Sequence, residues 1–562
     1  MSKALKTAAL VVGAAALIAT GVGAAAGAGL LGAAAASGGV IAGVATAATF
    51  TTIGTLASLG ALALTVAAGA TAPKGTAAGN PTKFTIDKDS GIPIVLGRTL
   101  AGGRVVHRQY YGTKNMFESW VTALSLGPVK SVGPLLIDKA PVTFAGSGAT
   151  GTYAGFMWLD TQLGACPEPR ALAGPQGAFA GWTSASKLSG LAADLWTLKF
   201  DKAQKNNVFP NGVPQRARVV EGMLAYDMRL DSSVPGGSGA CRLGDEATYV
   251  YSENPACHAV TWAYGRYQNG VLIAGGGLDV VGIDLAPFTE WANVCDANQW
   301  KVGGQVFTTD DNSWDVLKMI AQAGGGEVMP VNALLSCTFN APRVSIGTIT
   351  TADITGDIDV PSSAPRRSRR NTIIARVRLE THGWEVQPLD AVAVPDYVAA
   401  DGGSRPTEIE LPLVQQVDQG AQLALYHLLN MRELDGITLP CKVYALGYRP
   451  GDCLTIEIPE AALVGRNVIV RGREIDAATM GVTLTCRSET PGKHEFALGQ
   501  TGKAPPTPDL SIPVYYPPYT EVEYAAEAGT ADYAGQAGSI DGYDRTFLEQ
   551  LRADVDQLQQ QP

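Results

Sequence analysis

The chain has 562 residues, 46% of them hydrophobic and 17% charged, with a formal net charge of −10. That length exceeds what one hydrophobic core organises and implies three or more domains. The acidic balance excludes a general nucleic-acid binder, whose phosphate contacts need a basic face. Eight cysteines (Cys166, Cys241, Cys257, Cys295, Cys337, Cys441, Cys453 and Cys486) are scattered without CxxC or Cys/His ligand spacing. They are expected as small buried hydrophobes, not as a disulfide framework or a metal site.

From Thr7 to Pro73 there is no charged residue; Lys3 and Lys6 precede the stretch and Lys74 follows it. A membrane helix needs about 20 apolar residues, so the tract is long enough to cross a bilayer two or three times. It is dominated by Ala and Gly, and the pairs Gly23/Gly27 and Gly39/Gly43 have the GxxxG spacing that lets helices approach closely. Three readings fit: a secretory signal, a resident anchor, and a segment stored in an assembly and released into a membrane. A signal leaves Leu30–Ala70 unexplained. An anchor lacks basic residues between spans to fix its orientation.

Ala72–Pro81 is a polar Gly/Pro hinge. Short apolar runs follow at Ile92–Gly97, Arg104–Arg108, Trp120–Leu126 and Leu135–Ile137, separated as strands and turns are. Residues 146–250, rich in Gly, Ser and Ala, read as irregular and inserted. In Asn254–Tyr264 the Asn caps a helix with Pro at its first turn. Asn312–Ala323 is a second helix, with Trp314, Leu317 and Ile320–Ala321 on one face and Gly324 as its stop. Asp418–Arg432 is a third. Alternating strands are expected at Thr372–Leu379, Lys442–Leu446, Cys453–Ile458, Val468–Ile475 and Val482–Arg487, with a Pro-Gly turn at Arg449–Asp452. These form a small antiparallel β-domain carrying one helix. Beyond Gln500 a Pro-rich linker leads to Leu548, Leu551, Val555 and Leu558, one short coiled-coil seam or a helix docked on its own body. The fold class is mainly β with α+β elements, preceded by the Ala/Gly-rich helical segment.

The chain has no GxSxG, HExxH or Walker A pattern, and Gly275–Gly277 and Gly324–Gly326 read as turns. The histidines (His107, His258, His382, His427 and His494) are too dispersed for a metal site. Asp310–Asp311 or Glu457/Glu460 could in principle pair for glycan cleavage, but exposed turn acids have the same spacing. No catalytic residue, metal or cofactor is assigned. The dense basic cluster Arg366, Arg367, Arg369 and Arg370 is a solvated loop or a patch facing nucleic acid or an acidic partner.

Several motifs occur in a telling order. Ile92–Val106 is followed by Ala123–Val129 and Leu136–Val142, then by Asn254–Gly265 and Trp291–Asp296. The series continues through the Asn312–Ala323 helix, Arg369–Val377, Glu408–Pro412, Gln422–Leu429 and Tyr448–Ile456. This series resembles the tip attachment proteins, or tail hubs, of long-tailed bacteriophages over roughly residues 85–500, with 146–250 departing from the pattern.

The resemblance implies a homotrimeric hub with β-barrel-like domains that closes the distal end of the tail tube in the virion. Its expected partners are the distal tail and tail tube proteins, the tape measure protein and a fibre or receptor-binding protein, with no sequence-specific nucleic-acid binding. It also favours the third reading of the leader, released into the host membrane during genome ejection. The implied domains are 1–73 (membrane-active helices), 74–252 (first hub β-domain with an irregular insertion), 253–350 (α/β hub domain), 351–500 (second hub β-domain) and 501–562 (linker and coiled-coil helix). The alternative from another class is a secreted pore-forming toxin or a membrane-anchored glycan-cleaving enzyme.

Overall fold

The computed structural model describes residues 91–175, 181–200, 208–209, 212–307, 312–361, 365–476 and 478–507, with the backbone of 539–540 and 543–544. The chain forms two units, Met1–Thr507 and Pro508–Pro562. The leader with Gly23, Gly27, Gly39 and Gly43, and the seam Leu548, Leu551, Val555 and Leu558, lie outside the described residues. Among the described residues no helix is long and apolar enough to cross a membrane. In the second unit, Ser539–Ile540 pairs antiparallel with Tyr543–Asp544.

The first unit is mainly β and contains several separate sheets. Its N-terminal part is a sandwich. One sheet runs Arg104–Tyr111, Phe117–Leu126, Leu191–Lys199, Met157–Leu163, Gly148–Ala149 and Phe144–Ala145. The other is centred on Arg216–Ala225, which pairs with Val129–Ile137, Arg98–Ala101 and Val250–Tyr251. Trp120, Met157, Trp196 and Leu198 of the first meet Leu135, Ile137 and Val142 of the second in one core. Both faces of Phe117–Leu126 are covered and all ten of its residues are buried, which is why its sequence lacks strict alternation.

The stretch 146–250, read from sequence as irregular, thus supplies three long strands of the sandwich: Met157–Leu163, Leu191–Lys199 and Arg216–Ala225. Their alternation is hidden because interior positions carry Asp194, Arg216 and Arg218, all buried.

Three helices follow: α1 (Pro255–Tyr264), α2 (Leu285–Ala297) and α3 (Ser313–Ala323). Asn254 caps α1, its side chain accepting from the Ala256 amide at 3.0 Å. Asn312 caps α3 in the same way, through the Trp314 amide at 2.9 Å. The face of α3 is buried through Leu317, Ile320 and Ala321, whereas Trp314 is exposed beside Lys318. Gly324 ends α3, and the left-handed residue is the next one, Gly325 (φ 62°). A Cβ at Gly324 or Gly326 would lie 2.7 or 2.6 Å from the Trp291 ring, so the tight turn lets the indole of α2 seat against bare backbone. Trp291 Nε1 then donates to the Gly324 carbonyl at 2.8 Å.

Strand Thr372–Leu379 pairs with Glu385–Pro388 and Val392–Ala393 antiparallel and with Pro406–Glu410 parallel. Helix α4 (Pro395–Asp401) connects these strands, and α5 (Val417–Asn430) packs on Thr372–Leu379 and on α6 (Gly492–Leu498). One core joins residues from Ile94 to Ala497, spanning the sandwich edge, α1–α3, α5 and α6.

A second core belongs to a curled sheet in the order Thr348–Thr350, Cys453–Ile458, Leu463–Asp476, Gly481–Ser488 and Asp435–Cys441. After Thr350 the chain crosses the open side and makes single bridges from Ile354 to Cys441 and from Asp359 to Thr438. The sheet therefore wraps one core without closing into a continuous barrel. The strands expected as one antiparallel domain form two sheets, because the faces of 372–379 and 435–488 are buried in different cores. Helix α5 belongs to the first of these. Lys442–Leu446, expected as a strand, lies instead in the 3-10 turn Val443–Gly447, which buries Ala445 while Val443, Tyr444 and Leu446 face outward.

Trp291 fills space bounded by glycine backbone that cannot follow it inward. Trp291→Ala is expected to cost about 3–5 kcal/mol, measured by chemical denaturation. A loss below about 1 kcal/mol would show that the glycine turn does not depend on the ring.

Candidate interaction surfaces

Burial favours the neutral forms of His258 and of the seven buried cysteines. Burial pushes the His258 pKa down to about 4, and its Nε2 lies 2.7 Å from the Ser252 carbonyl. Seven of the eight cysteines are buried, all eight are free, and Cys166 is exposed. Burial raises the Cys441 thiol to about 11 and Cys486 to about 12, which suppresses the thiolate needed for nucleophilic or metal chemistry. Glu457 accepts the Gly465 amide at 3.0 Å and Glu460 the Thr351 hydroxyl at 2.7 Å, so each carboxylate serves its own turn. Asp310–Asp311 lies outside the described residues. Among the described residues, no group of three or more His, Cys, Asp or Glu is placed to hold a metal.

A cavity of about 430 Å³ opens between α5, the hairpin Gly326–Phe339 and the curled sheet. Two of the three acids that line it, Glu327 and Glu489, are engaged in ion pairs. Glu327 pairs with Arg471 at 2.5 Å, and Glu489 with Lys493 at 2.6 Å and His494 at 2.8 Å.

The arginine cluster is built around a buried acid at the end of α4. Asp401 is 4% exposed; it accepts from Arg432 at 3.0 Å and Asn371 at 3.1 Å, and faces Arg369 at 3.8 Å. Burial by itself would raise its pKa. Hydrogen bonds from Arg432 and Asn371, with the charges of Arg432 and Arg405, hold it below the usual carboxylate range. Arg370 donates to the Arg367 carbonyl at 2.9 Å, and Arg405 donates to the carbonyls of Arg366 and Asp401. Four arginines thus fold the turn, and the Arg366 and Arg367 side chains are left exposed. The sequence cluster 366–370 is brought together, and Arg405 and Arg432, distant in sequence, join it.

Two apolar surfaces carry no signal in the sequence motifs. The first is a strand edge. Residues 346–350 run parallel to Cys453–Glu457, with the Ile346 amide donating to Cys453 at 2.9 Å and the Thr455 amide to Gly347 at 2.9 Å, and residues 342–345 lead into this edge. Pro342, Val344, Ile346 and Thr348 point outward in strict alternation, with Val344 86% and Ile346 62% exposed. A Cβ at Gly347 would lie 2.5 Å from Tyr448 Oη, which ties this edge to the turn bearing exposed Val443, Tyr444 and Leu446. Other outer strands bear Arg104 and Arg108, or Glu385 and Pro388, or Pro406, Glu408 and Glu410, the usual protection of free edges. The second surface is the Asn269-Gly270 hairpin with the loop after it, where Tyr267, Val271, Leu272, Val280 and Val281 are exposed.

No protein-family model matches the chain, and no curated protein matches it. Solved structures that are similar include a chain from the virion of a native gene transfer agent particle. That match has 15% identity and a TM-score of 0.48, covering 78% of this chain and 97% of that one. A tail protein from Neisseria meningitidis MC58 has 11% identity and a TM-score of 0.27, covering 72% and 99%. The 43 kDa tail protein of prophage MuSo2 from Shewanella oneidensis has 9% identity and a TM-score of 0.25, covering 72% and 94%.

Because the folded-state pKa of Asp401 is depressed, its stabilising contribution is present above the unfolded value of about 3.9 and is lost as pH falls through the folded value. Protection factors of the Ser368, Arg369 and Asn371 amides, corrected for intrinsic exchange, are therefore expected to hold down to pH ~4 and to fall below it. In Asp401→Asn the same amides should exchange fast already at pH 7. Equal protection in the variant would detach the turn from the aspartate.

Proposed function

We propose that this chain is the structural hub of a bacteriophage tail tip: a homotrimer that closes the distal end of the tail tube and carries fibre or receptor-binding parts. The observation that carries this reading is the co-linear series of hub-like motifs, which coincide with elements of one fold. Ile92–Val106 contains the strands Pro93–Leu96 and Arg98–Ala101, Asn254–Gly265 is capped α1, and Gln422–Leu429 lies in α5. Tyr448–Ile456 contains the Pro-Gly turn, with Gly451 at φ 98° and the Asp452 amide donating to Arg449 at 3.0 Å. The exposed apolar stretch at 342–348, with Val344 and Ile346 turned outward, supports a chain built to be covered by neighbours.

The distal tail, tail tube and tape measure proteins are its partners in this reading, and the seam at Leu548–Leu558 gathers three chains or docks a fibre. The leader 7–72 is shielded from water before ejection and enters the host membrane during it, with packing at Gly23/Gly27 and Gly39/Gly43. Charge-free Ala/Gly helices suit both settings, since they pack closely in a protein bore and still partition into lipid.

Two experiments test the proposal. Val344→Lys with Ile346→Lys should leave the monomer folded, because both side chains lie outside the core. It should reduce the threefold rings seen by electron microscopy; rings formed as in the parent would remove this edge from the interface. Particles lacking residues 7–72 should assemble and adsorb but fail to deliver DNA, and Ala15→Asp should act in the same direction because a charge at mid-bilayer costs about 2.5–3.5 kcal/mol or more. Normal infection by the deleted particles would reduce the leader to a targeting segment.

A further inference from the structure

The sandwich interior contains a charge that the described residues do not balance. Asp194 lies on strand Leu191–Lys199, flanked in register by Thr122 on one side and Thr161 on the other. From the facing sheet, Arg216 donates to Asp194 at 2.8 Å and Arg218 approaches its second oxygen at 3.6 Å. The three side chains are 0%, 1% and 5% exposed. Two guanidinium ions therefore share one carboxylate in a site closed to water. A second buried acid, Glu118 on the neighbouring strand Phe117–Leu126, is paired with Arg108 at 2.6 Å. Burial is the main influence on Arg218 and, with Asp194 and Arg216 acting in opposite senses, takes its pKa down only to about 10. Deprotonation therefore does not remove the excess charge near neutral pH.

The polar atoms left without partners here are mostly donors. They are Arg216 Nη1, Arg218 Nε and Trp196 Nε1, with the Thr122 hydroxyl able to donate, against one acceptor, Asp194 Oδ2. The Arg216 guanidinium lies over the face of the Trp196 ring, 5.3 Å from its centroid, and Arg218 makes only long bonds, to the Thr161 hydroxyl and the Val132 carbonyl, each at 3.4 Å. Leaving such groups unmade in a dry core is expensive, more so for charged donors. A water molecule could accept from some of them but leaves the net charge in place.

We propose that the sandwich holds a small monovalent anion of the halide class, bound by Arg216, Arg218, Trp196 and Thr122 beside Asp194. One negative charge balances two arginines and one aspartate, whereas a phosphate dianion would overcompensate. A spherical ion also accepts from donors on three strands without directional demands of its own. The site lies inside the body, apart from the arginine turn and the apolar edge, and does not rest on the tail-hub reading.

The test uses the full chain with bromide as the probe. Crystals grown in sodium bromide should show an anomalous peak between the guanidinium groups of Arg216 and Arg218. Replacing sodium gluconate by sodium chloride at equal ionic strength should raise the thermal midpoint by about 2–4 °C. Arg218→Met removes the unbalanced charge, so its midpoint should no longer distinguish chloride from gluconate. Should that variant fail to fold, Thr122→Val, which removes only a neutral donor, should at least halve the chloride-dependent shift. A site filled by water with no anomalous signal, or a parent midpoint indifferent to halide, would overturn the proposal.

Discussion

The seating of Trp291 on the Gly324–Gly326 turn is the contact on which the middle of the molecule depends. It joins α2 to the end of α3, while Pro255 at the start of α1 and the Cys295 thiol close on the same glycine. One residue further, Gly325 lies against Trp300 and the Leu423 side chain of α5. Four helices from distant parts of the sequence thus meet at three residues without side chains. Large rings gain most when they are fully desolvated, and backbone is the flattest surface a chain can offer them. The cost is conformational, since three consecutive glycines must be ordered. That cost is offset by burial of Trp291 and Trp300, each at most 1% exposed.

This convergence explains what was readable in advance. Caps, stops and 3.6-residue periodicity are local, so α1, α3 and α5 were legible from Asn254, Asn312 and the leucines of 417–430. The glycine triplet was legible as a turn, but its role as a seat was not, because the partner indole is more than 30 residues away. The strands at 157–225 were missed because the alternation test scores Asp194, Arg216 and Arg218 as outward-facing. Here they point inward and satisfy much of one another's charge. Lys442–Leu446 had strand-like composition, yet composition does not report whether a free neighbouring edge exists to pair with it.

The surfaces show the same division between local and distant information. Arg366–Arg370 was visible as a basic run. Its conformation depends on Asp401, Arg405 and Arg432, which the fold brings in from 31 to 66 residues away. Val344 and Ile346 fall in a stretch to which the sequence motifs assign no element. Only the sheet order reveals that their inner neighbours, Ser345 and Gly347, face the sheet and that the apolar pair faces out. A chain folding alone gains nothing from that arrangement, since exposed β-branched residues on a free edge invite pairing. The arrangement becomes economical when another surface covers it.

Net charge misleads in a related way. After Thr507 the sequence has ten acidic and two basic residues, so eight of the ten net negative charges belong to the last 55 residues. The part before Pro508 taken by itself is close to neutral. Charge repulsion among Arg366, Arg367, Arg369 and Arg370 would spread a free loop. Here the carbonyls of Arg366, Arg367 and Asp401 accept from the guanidinium groups of Arg370 and Arg405, and Asp401 sits beneath them. The repulsion is thus met by the fold before any partner arrives. Arg366 and Arg367 are presented on an already ordered turn, and a partner that engages them need not bear the whole ordering entropy itself. Non-specific binding to a polyanion depends instead on a broad positive face, where fixed geometry matters less.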